Sequence, residues 1–235
     1  MCGRYTMATP DLGRVRTRFD LDERVELRRR FNVAPTDDVV AVRADREGRP
    51  RGDSLRWGLV PFWADDPRVG SRMINARAES VSEKPAFRDA FASRRCLILA
   101  DGFYEWQRRD GSKRPWWITR ADGQPFAFAG LWATWRPKGT EDVEPLRSCT
   151  IITTTASDAV APLHDRMPVI LPSEAEAAWL DPATSRARLL ELLAPLDPGA
   201  TAMREVGAAV NDARHDAEDC LDPPSAADEP QAALF

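Results

Sequence analysis

Eight short runs rich in β-branched and aromatic residues, at 39–43, 54–60, 96–100, 104–108, 116–120, 126–135, 149–155 and 169–171, are set off by Gly, Pro or Asp. Their lengths suit strands, and they lack the regular alternation with helices that a doubly wound parallel sheet needs. Helical patterns are fewer, at 11–19, 84–93, 173–180 and 185–193, and the third opens on Pro172-Ser173 with Glu176 at capping-box spacing. Asp101-Gly102 reads as a turn sending one strand back toward the next, and Asp122-Gly123 as a hairpin turn. The expected class is α+β: a mostly antiparallel, curled, barrel-like sheet with peripheral helices. With 235 residues the chain buries a full core in one domain, expected over 1–222, followed by an acidic, disordered tail at 223–235.

Charge narrows the partner. The whole chain carries −4, but residues 211–235 hold seven acids against one base, which leaves +2 on residues 1–210. A mildly basic body suits a short single-stranded stretch of nucleic acid better than a long duplex footprint. No apolar run approaches the ~18 residues of a membrane span, and the charged stretch 11–30 excludes a secretory core. A soluble, cytoplasmic monomer without membrane contact is expected. Cys2, Cys96, Cys149 and Cys220 stand singly, and the chain has two histidines, so neither a zinc site nor a disulfide framework is indicated and no metal or cofactor is expected.

Met1-Cys2-Gly3-Arg4 is where chemistry is expected. Removal of Met1 would leave an amine and a thiol on one residue, with ordinary pKa values of about 7.7–8 and about 8.5. Such a pair captures an aldehyde as an imine that sulfur then closes into a ring, whereas an ester or amide meets sulfur alone. An ordinary thiol is the commoner meaning of such a start.

Other clusters point the same way. Asn32-Val33-Ala34-Pro35 reads as a turn before a strand. Trp57 suits a core, while Trp63, beyond Pro61, suits exposure and burial equally, and an exposed indole there would stack on bases. Asn75 and Arg77 lie two residues apart, so in an extended stretch both face one cleft. Glu105 sits among Phe103, Tyr104 and Trp106, where a raised pKa would fit it for proton transfer, and a solvent-facing strand position explains it equally well. His164 occupies a polar turn after a Thr-rich strand; His215 is given no role.

Taken in order, Cys-Gly-Arg-Tyr, Asn-Val-Ala-Pro, Trp-Gly-Leu-Val-Pro, Ile-Asn-Ala-Arg-Ala-Glu, Asp-Gly-Phe-Tyr-Glu-Trp and Leu-His-Asp-Arg-Met-Pro resemble the SOS response-associated peptidase, or abasic-site processing, family over nearly the whole chain. The resemblance implies a DNA-damage-response protein that binds single-stranded DNA at an abasic site and links itself covalently to the opened sugar. It makes Cys2 the nucleophile through amine and sulfur, with a thiazolidine product, and Glu105 the proton shuttle. Asn75 becomes the amide orienting amine and sugar, and His164 the imidazole acting on the sugar hydroxyl. Arg4, Arg77 and Arg166 would grip phosphates, while Asn32, Pro35, Trp63 and Thr153 would wall the strand. It also implies self-removal of the residue before the cysteine, a peptidase-type hydrolysis. The chain departs from some relatives at Ala64, where they carry a second Trp, and at Pro85, where they carry a base. An N-terminal-nucleophile glutaminase and a non-catalytic single-strand binder stand as alternatives.

Overall fold

The computed structural model describes residues 2–109, 111–140, 142–225 and 228. Along the chain run β1 (Tyr5–Met7), α1 (Leu12–Arg18), β2 (Arg30–Val33), β3 (Asp38–Ala44), β4 (Pro50–Trp57), β5 (Asn75–Arg77), α2 (Arg88–Ser93), β6 (Arg95–Ala100), β7 (Gly102–Arg109), β8 (Ser112–Arg120), β9 (Phe126–Trp135), β10 (Leu146–Thr155), β11 (Arg166–Pro168), β12 (Ile170–Leu171), α3 (Ser173–Leu180), α4 (Arg186–Glu191) and β13 (Thr201–Glu205).

Two sheets form. The first has the order β13-β8-β7-β1-β2 and is antiparallel throughout. In the second, β10, β4, β3, β6 and β9 close on themselves, because β9 pairs with β10 as well as with β6. All its pairings are antiparallel except those of β10 with β4 and β5. The architecture is thus the α+β, curled and mainly antiparallel one that the strand-rich sequence implies. No described helix is long and apolar enough to cross a membrane.

The pleat sorts the core. On β6, Leu97 and Leu99 pack with Val15 and Phe19 from the α1 region, Phe91 of α2 and Trp179 of α3. Their neighbours Cys96, Ile98 and Ala100 point the other way, joining Tyr5, Trp57, Phe103, Ile118 and Phe128 in a cluster shared by both sheets. Period-2 alternation therefore buries both faces of the strand, one under helices and one against the first sheet.

Several local expectations are corrected. Asp101-Gly102 does not join two paired strands. It carries the chain from the second sheet to the first, and the Asp101 carboxylate accepts from Thr6 Oγ1 at 2.6 Å and from the Ala8 and Thr9 N–H groups. Asp122-Gly123 is a turn, with Gly123 at φ +64°, but it also connects the two sheets rather than closing a hairpin. The β7–β8 hairpin instead turns at Gly111, whose φ is +76°. Pro172 rather than Ser173 is the N-cap of α3, and Glu176 reaches across to Arg18 at 2.7 Å instead of closing a capping box. Asn32 and Val33 belong to β2, because pairing with β1 overrides the turn signal of the following Pro35. Of the run at 169–171 only Ile170–Leu171 is strand, β12 on β9, and a separate strand not foreseen there, β11, precedes it on β10.

Of the expected tail, 223–225 and 228 are described and the remainder lies outside the described residues. Asp228 accepts from Ser225 N–H and Oγ–H, at 2.7 and 2.9 Å. The acidic stretch before it is anchored: the Asp216 carboxylate accepts from the Phe31 and Asn32 N–H groups and pairs with Arg30.

Candidate functional site

Cys2 lies at the seam of the two sheets. Tyr5 pairs with Phe103, and the Tyr104 N–H donates to the Arg4 carbonyl at 3.0 Å, so the chain before β1 runs antiparallel to β7 toward Glu105. Cys2 is fully buried, clustered with Tyr5, Trp57, Cys149, Ile151 and Met167. Among the described residues its thiol has one long contact, to the Arg4 carbonyl at 3.8 Å. Burial first, and then the Glu105 carboxylate, push the thiol pKa well up, so sulfur stays protonated in this setting.

Glu105 is 3% exposed, and burial pushes its carboxyl up to about 7, with the nearby negative charge of Asp165 adding to the rise. A group poised near neutrality both gives and takes a proton.

The second sheet supplies the facing wall. Asn75 and Arg77 are the two ends of β5, in parallel register with Ile151 and Thr153 of β10. Their two-residue spacing puts both side chains on one side of the strand. The Asn75 amide Nδ2 donates to the Cys2 carbonyl at 2.8 Å, which ties the second sheet to the residue before β1. Asn75 Oδ1 is buried without a hydrogen-bond partner among the described residues, so an incoming N–H or O–H donor would relieve a cost of about 1–3 kcal/mol. Arg77 is exposed. Thr153 is buried, its hydroxyl 3.5 Å from the Ala76 carbonyl.

Arg166 opens β11 opposite Thr155 and is built in tightly. It donates to both Glu79 oxygens, at 2.5 and 3.0 Å, and to the Thr153 carbonyl at 2.6 Å. His164, in the turn before β11, accepts the Arg166 N–H at Nδ1 over 2.9 Å. The same nitrogen lies 2.8 Å from Asp165 Oδ1, a contact that requires a proton on Nδ1. The two demands exclude each other. Burial lowers the His164 pKa, which favours the neutral ring and the Arg166 contact, with the proton on Nε2.

The remaining expected site residues are spread more widely. Arg4 is half-buried, donating to Asn32 Oδ1 at 3.0 Å and the Val210 carbonyl at 2.9 Å, with its guanidinium 5.9 Å from the Trp106 ring centre. Asn32 is fully buried, and its amide donates to the Asp212 and His215 carbonyls at 2.9 and 2.7 Å, so it braces the acidic segment behind Arg4. Pro35 is half-buried just after β2. Trp63, 48% exposed beside Phe62 at 66%, lines a hollow of about 210 Å³ with Pro85, Ala90 and Arg94, while Trp57 is core. Two participants were not singled out from sequence: Glu79, which holds Arg166, and Asp165, which acts on both Glu105 and His164. Glu79 stands two residues past Arg77 in the same motif, the spacing that already placed Asn75 and Arg77 together.

The family model described as SOS response associated peptidase matches residues 1–213. The chain is 41% identical over 227 residues to the abasic site processing protein YoaM of Bacillus subtilis, covering 94% of this chain and 98% of that one. It is 36% identical over 194 residues to the abasic site processing protein HMCES of Gallus gallus, covering 72% of this chain and 56% of the relative. A crystal structure of a Bacteroides thetaiotaomicron protein superposes with a TM-score of 0.82 over 95% of this chain and all of that one, at 24% identity, a likeness of fold.

Proposed function

The chain belongs to the SOS response-associated peptidase family, and from that premise we propose that it processes abasic sites in DNA by covalent capture at Cys2. The supporting observation is the seam itself: a cysteine held by its carbonyl to Asn75 on one sheet and set beside the buried Glu105 of the other. An abasic site has lost its base, so its aldehyde is the one handle that distinguishes it, and an aminothiol is the matching nucleophile.

The proposed sequence starts with removal of Met1, which frees the Cys2 amine. His164, neutral with Nε2–H and a neighbouring carboxylate, handles the sugar hydroxyl as the ring opens to the aldehyde. The amine adds to the aldehyde carbon, and the Glu105 carboxyl, near pKa 7, protonates the carbinolamine hydroxyl, which leaves as water. The Cys2 thiol then gives its proton to the Glu105 carboxylate as sulfur adds to the iminium carbon, which leaves a neutral ring nitrogen and returns Glu105 to its acid form. Aldehyde and aminothiol thus give a thiazolidine and one water. Arg77 and Arg166 are cationic groups beside this cleft suited to flanking phosphates, and the phosphate contacts would position without reading sequence. Single-stranded DNA, a cytoplasmic setting and a monomeric unit complete the proposal.

The test uses protein whose terminal Cys2 is verified by intact mass, incubated with an abasic oligonucleotide. The expected product is a species stable on a denaturing gel, with the mass of protein plus DNA minus one water, and lost in Cys2→Ala. Unmodified DNA with intact binding would leave a non-catalytic binder, and ammonia released from glutamine would favour a glutaminase.

A further inference from the structure

The acidic segment behind Arg4 gathers a second set of reactive side chains. His215, Asp219 and Cys220 offer an imidazole nitrogen, a carboxylate oxygen and a thiol sulfur that all lie within 4.8 Å of one another. A 3-10 turn over Glu218–Leu221 brings this about by folding positions 219 and 220 back toward His215. His215 Nε2 is 2.6 Å from Asp219 Oδ1, which taken alone is an ordinary surface contact. The buried sulfur sets the group apart. Cys220 is fully buried among Phe31, Tyr104 and Val210, while His215 is half-buried and Asp219 exposed. The donors thus grade from core to solvent, and the exposed carboxylate is where an ion arrives first.

Donor chemistry selects the ion. Hard cations such as Mg2+ and Ca2+ take oxygen ligands, whereas Zn2+ accepts thiolate, imidazole and carboxylate together. With bonds of about 2.0–2.3 Å, a tetrahedral ion holds such donors about 3.3–3.6 Å apart. His215 and Asp219 need to part, and Cys220 to approach, by about an ångström. The backbone around the turn is already tied down. The Asn32 amide donates to the Asp212 and His215 carbonyls, the Asp216 carboxylate accepts from the Phe31 and Asn32 N–H groups, and the Gly207 N–H donates to the Asp222 carbonyl at 2.8 Å. The Cys220 thiol itself reaches the His215 carbonyl at 3.5 Å. A turn so held loses little freedom when it takes an ion.

We propose that His215, Asp219 and Cys220 form a site for a zinc-type divalent cation that clasps the acidic segment against β2 and β7. On binding, the thiol proton leaves to solvent, the imidazole coordinates as the neutral ring, and a water fills the fourth position. Thiolate and carboxylate then balance the two positive charges of the ion. No paired-cysteine spacing announces the site, because its ligands are one thiol, one imidazole and one carboxylate. It is independent of the reading of Cys2 as the aldehyde trap.

The experiment titrates Zn2+ and, as a spectroscopic probe, Co2+ into chelator-treated full-length protein carrying Cys2→Ala, so that the terminal aminothiol contributes no ligands. One equivalent is expected to bind, to resist excess Mg2+ and to raise the urea midpoint. The cobalt form should show sulfur-to-metal charge transfer in the near ultraviolet. His215→Ala and Cys220→Ser are each expected to weaken binding more than about 100-fold, since losing even an outer partner of a ligand costs about 10- to 100-fold. Should Cys220→Ser unfold, His215→Ala, which alters a half-buried side chain, still decides the matter. A missing charge-transfer band, or unaltered affinity in folded His215→Ala protein, would overturn the site. Several equivalents displaced by Mg2+ would assign the ion to surface carboxylates and overturn it as well. An unshifted midpoint at saturating Zn2+ would overturn the clasp.

Discussion

The Asn75 side chain holds Cys2 through its backbone, Nδ2 to carbonyl oxygen at 2.8 Å, so one amide couples the residue proposed as nucleophile, in front of β1, to the second sheet. A nucleophile attached to only three residues of strand needs such an anchor, because an angstrom of drift can cost about a hundredfold in rate. Asn75→Ala is therefore expected to slow cross-link formation under single-turnover conditions by about 10- to 100-fold. Affinity for the same oligonucleotide, measured by fluorescence anisotropy with Cys2→Ala as background, should change far less. A matching loss in both measurements would make Asn75 part of the binding surface rather than the anchor.

Glu105 gives a pH signature. Burial places its folded carboxyl near pKa 7, against about 4.3 in an unfolded chain. The folded protein thus holds the proton more tightly, so the stability this group contributes is complete below pH 4.3 or so and is lost as pH rises through about 7. Glu105→Gln has no charge to bury and should gain on the wild type between pH 5 and pH 8, by an amount on the order of 3 kcal/mol. Paired urea denaturations at the two pH values check it, and a difference that does not vary with pH would mean that the carboxylate is adequately solvated. The same substitution should slow cross-linking much more than it weakens DNA binding.

Much of this is legible in the sequence, for identifiable physical reasons. Runs such as 126–135 are long, apolar and bounded by turn residues, and they coincide with β9 to the residue. The short strands β1, β2, β5 and β13 carry too few residues for any periodicity and exist because neighbouring strands complete their ladders. Asp-Gly dipeptides signal turns without revealing which strands they join: those at 101–102 and 122–123 switch sheets, while the β7–β8 hairpin turns at Gly111. At the site, Cys2, Asn75 and Glu105 could be named from residue type and motif. Their meeting at the seam depends on register between strands 70 and more residues apart, as does the role of Glu79, whose partner Arg166 lies 87 residues on.

Gly102 shows how tightly that seam is built. A Cβ at this position would lie 2.2 Å from Trp117 Nε1 and 3.0 Å from Thr6 Oγ1. Those two atoms are hydrogen-bonded to each other at 3.1 Å, directly over the glycine, and Thr6 in turn donates to Asp101. Gly102→Ala must push the indole away and break this chain at the point where β1 meets β7. A loss of about 1–3 kcal/mol is expected in the denaturant midpoint, and wild-type stability would mean the rigid indole can shift without cost. Ala121 offers a control: it is exposed, so Ala121→Gly should change little.

Asp216 makes the acidic segment part of the fold. Burial alone would raise its pKa, but the Phe31 and Asn32 N–H groups and the Arg30 guanidinium outweigh it and hold the carboxyl below the usual carboxylate range. Its contribution is accordingly present above about pH 3.9 and is lost as pH falls through its lowered folded value. Asp216→Asn keeps the size but presents only one acceptor oxygen where two N–H groups and a cation converge. At pH 7 it should cost about 1–3 kcal/mol, with the gap to wild type narrowing toward pH 3. Because the same segment accepts from Asn32 and Arg4 through the Asp212, His215 and Val210 carbonyls, loosening it should also raise the half-saturating DNA concentration. Unaltered stability at pH 7, read from urea unfolding, would show that the segment merely rests on β2, and DNA affinity should then be unaltered too.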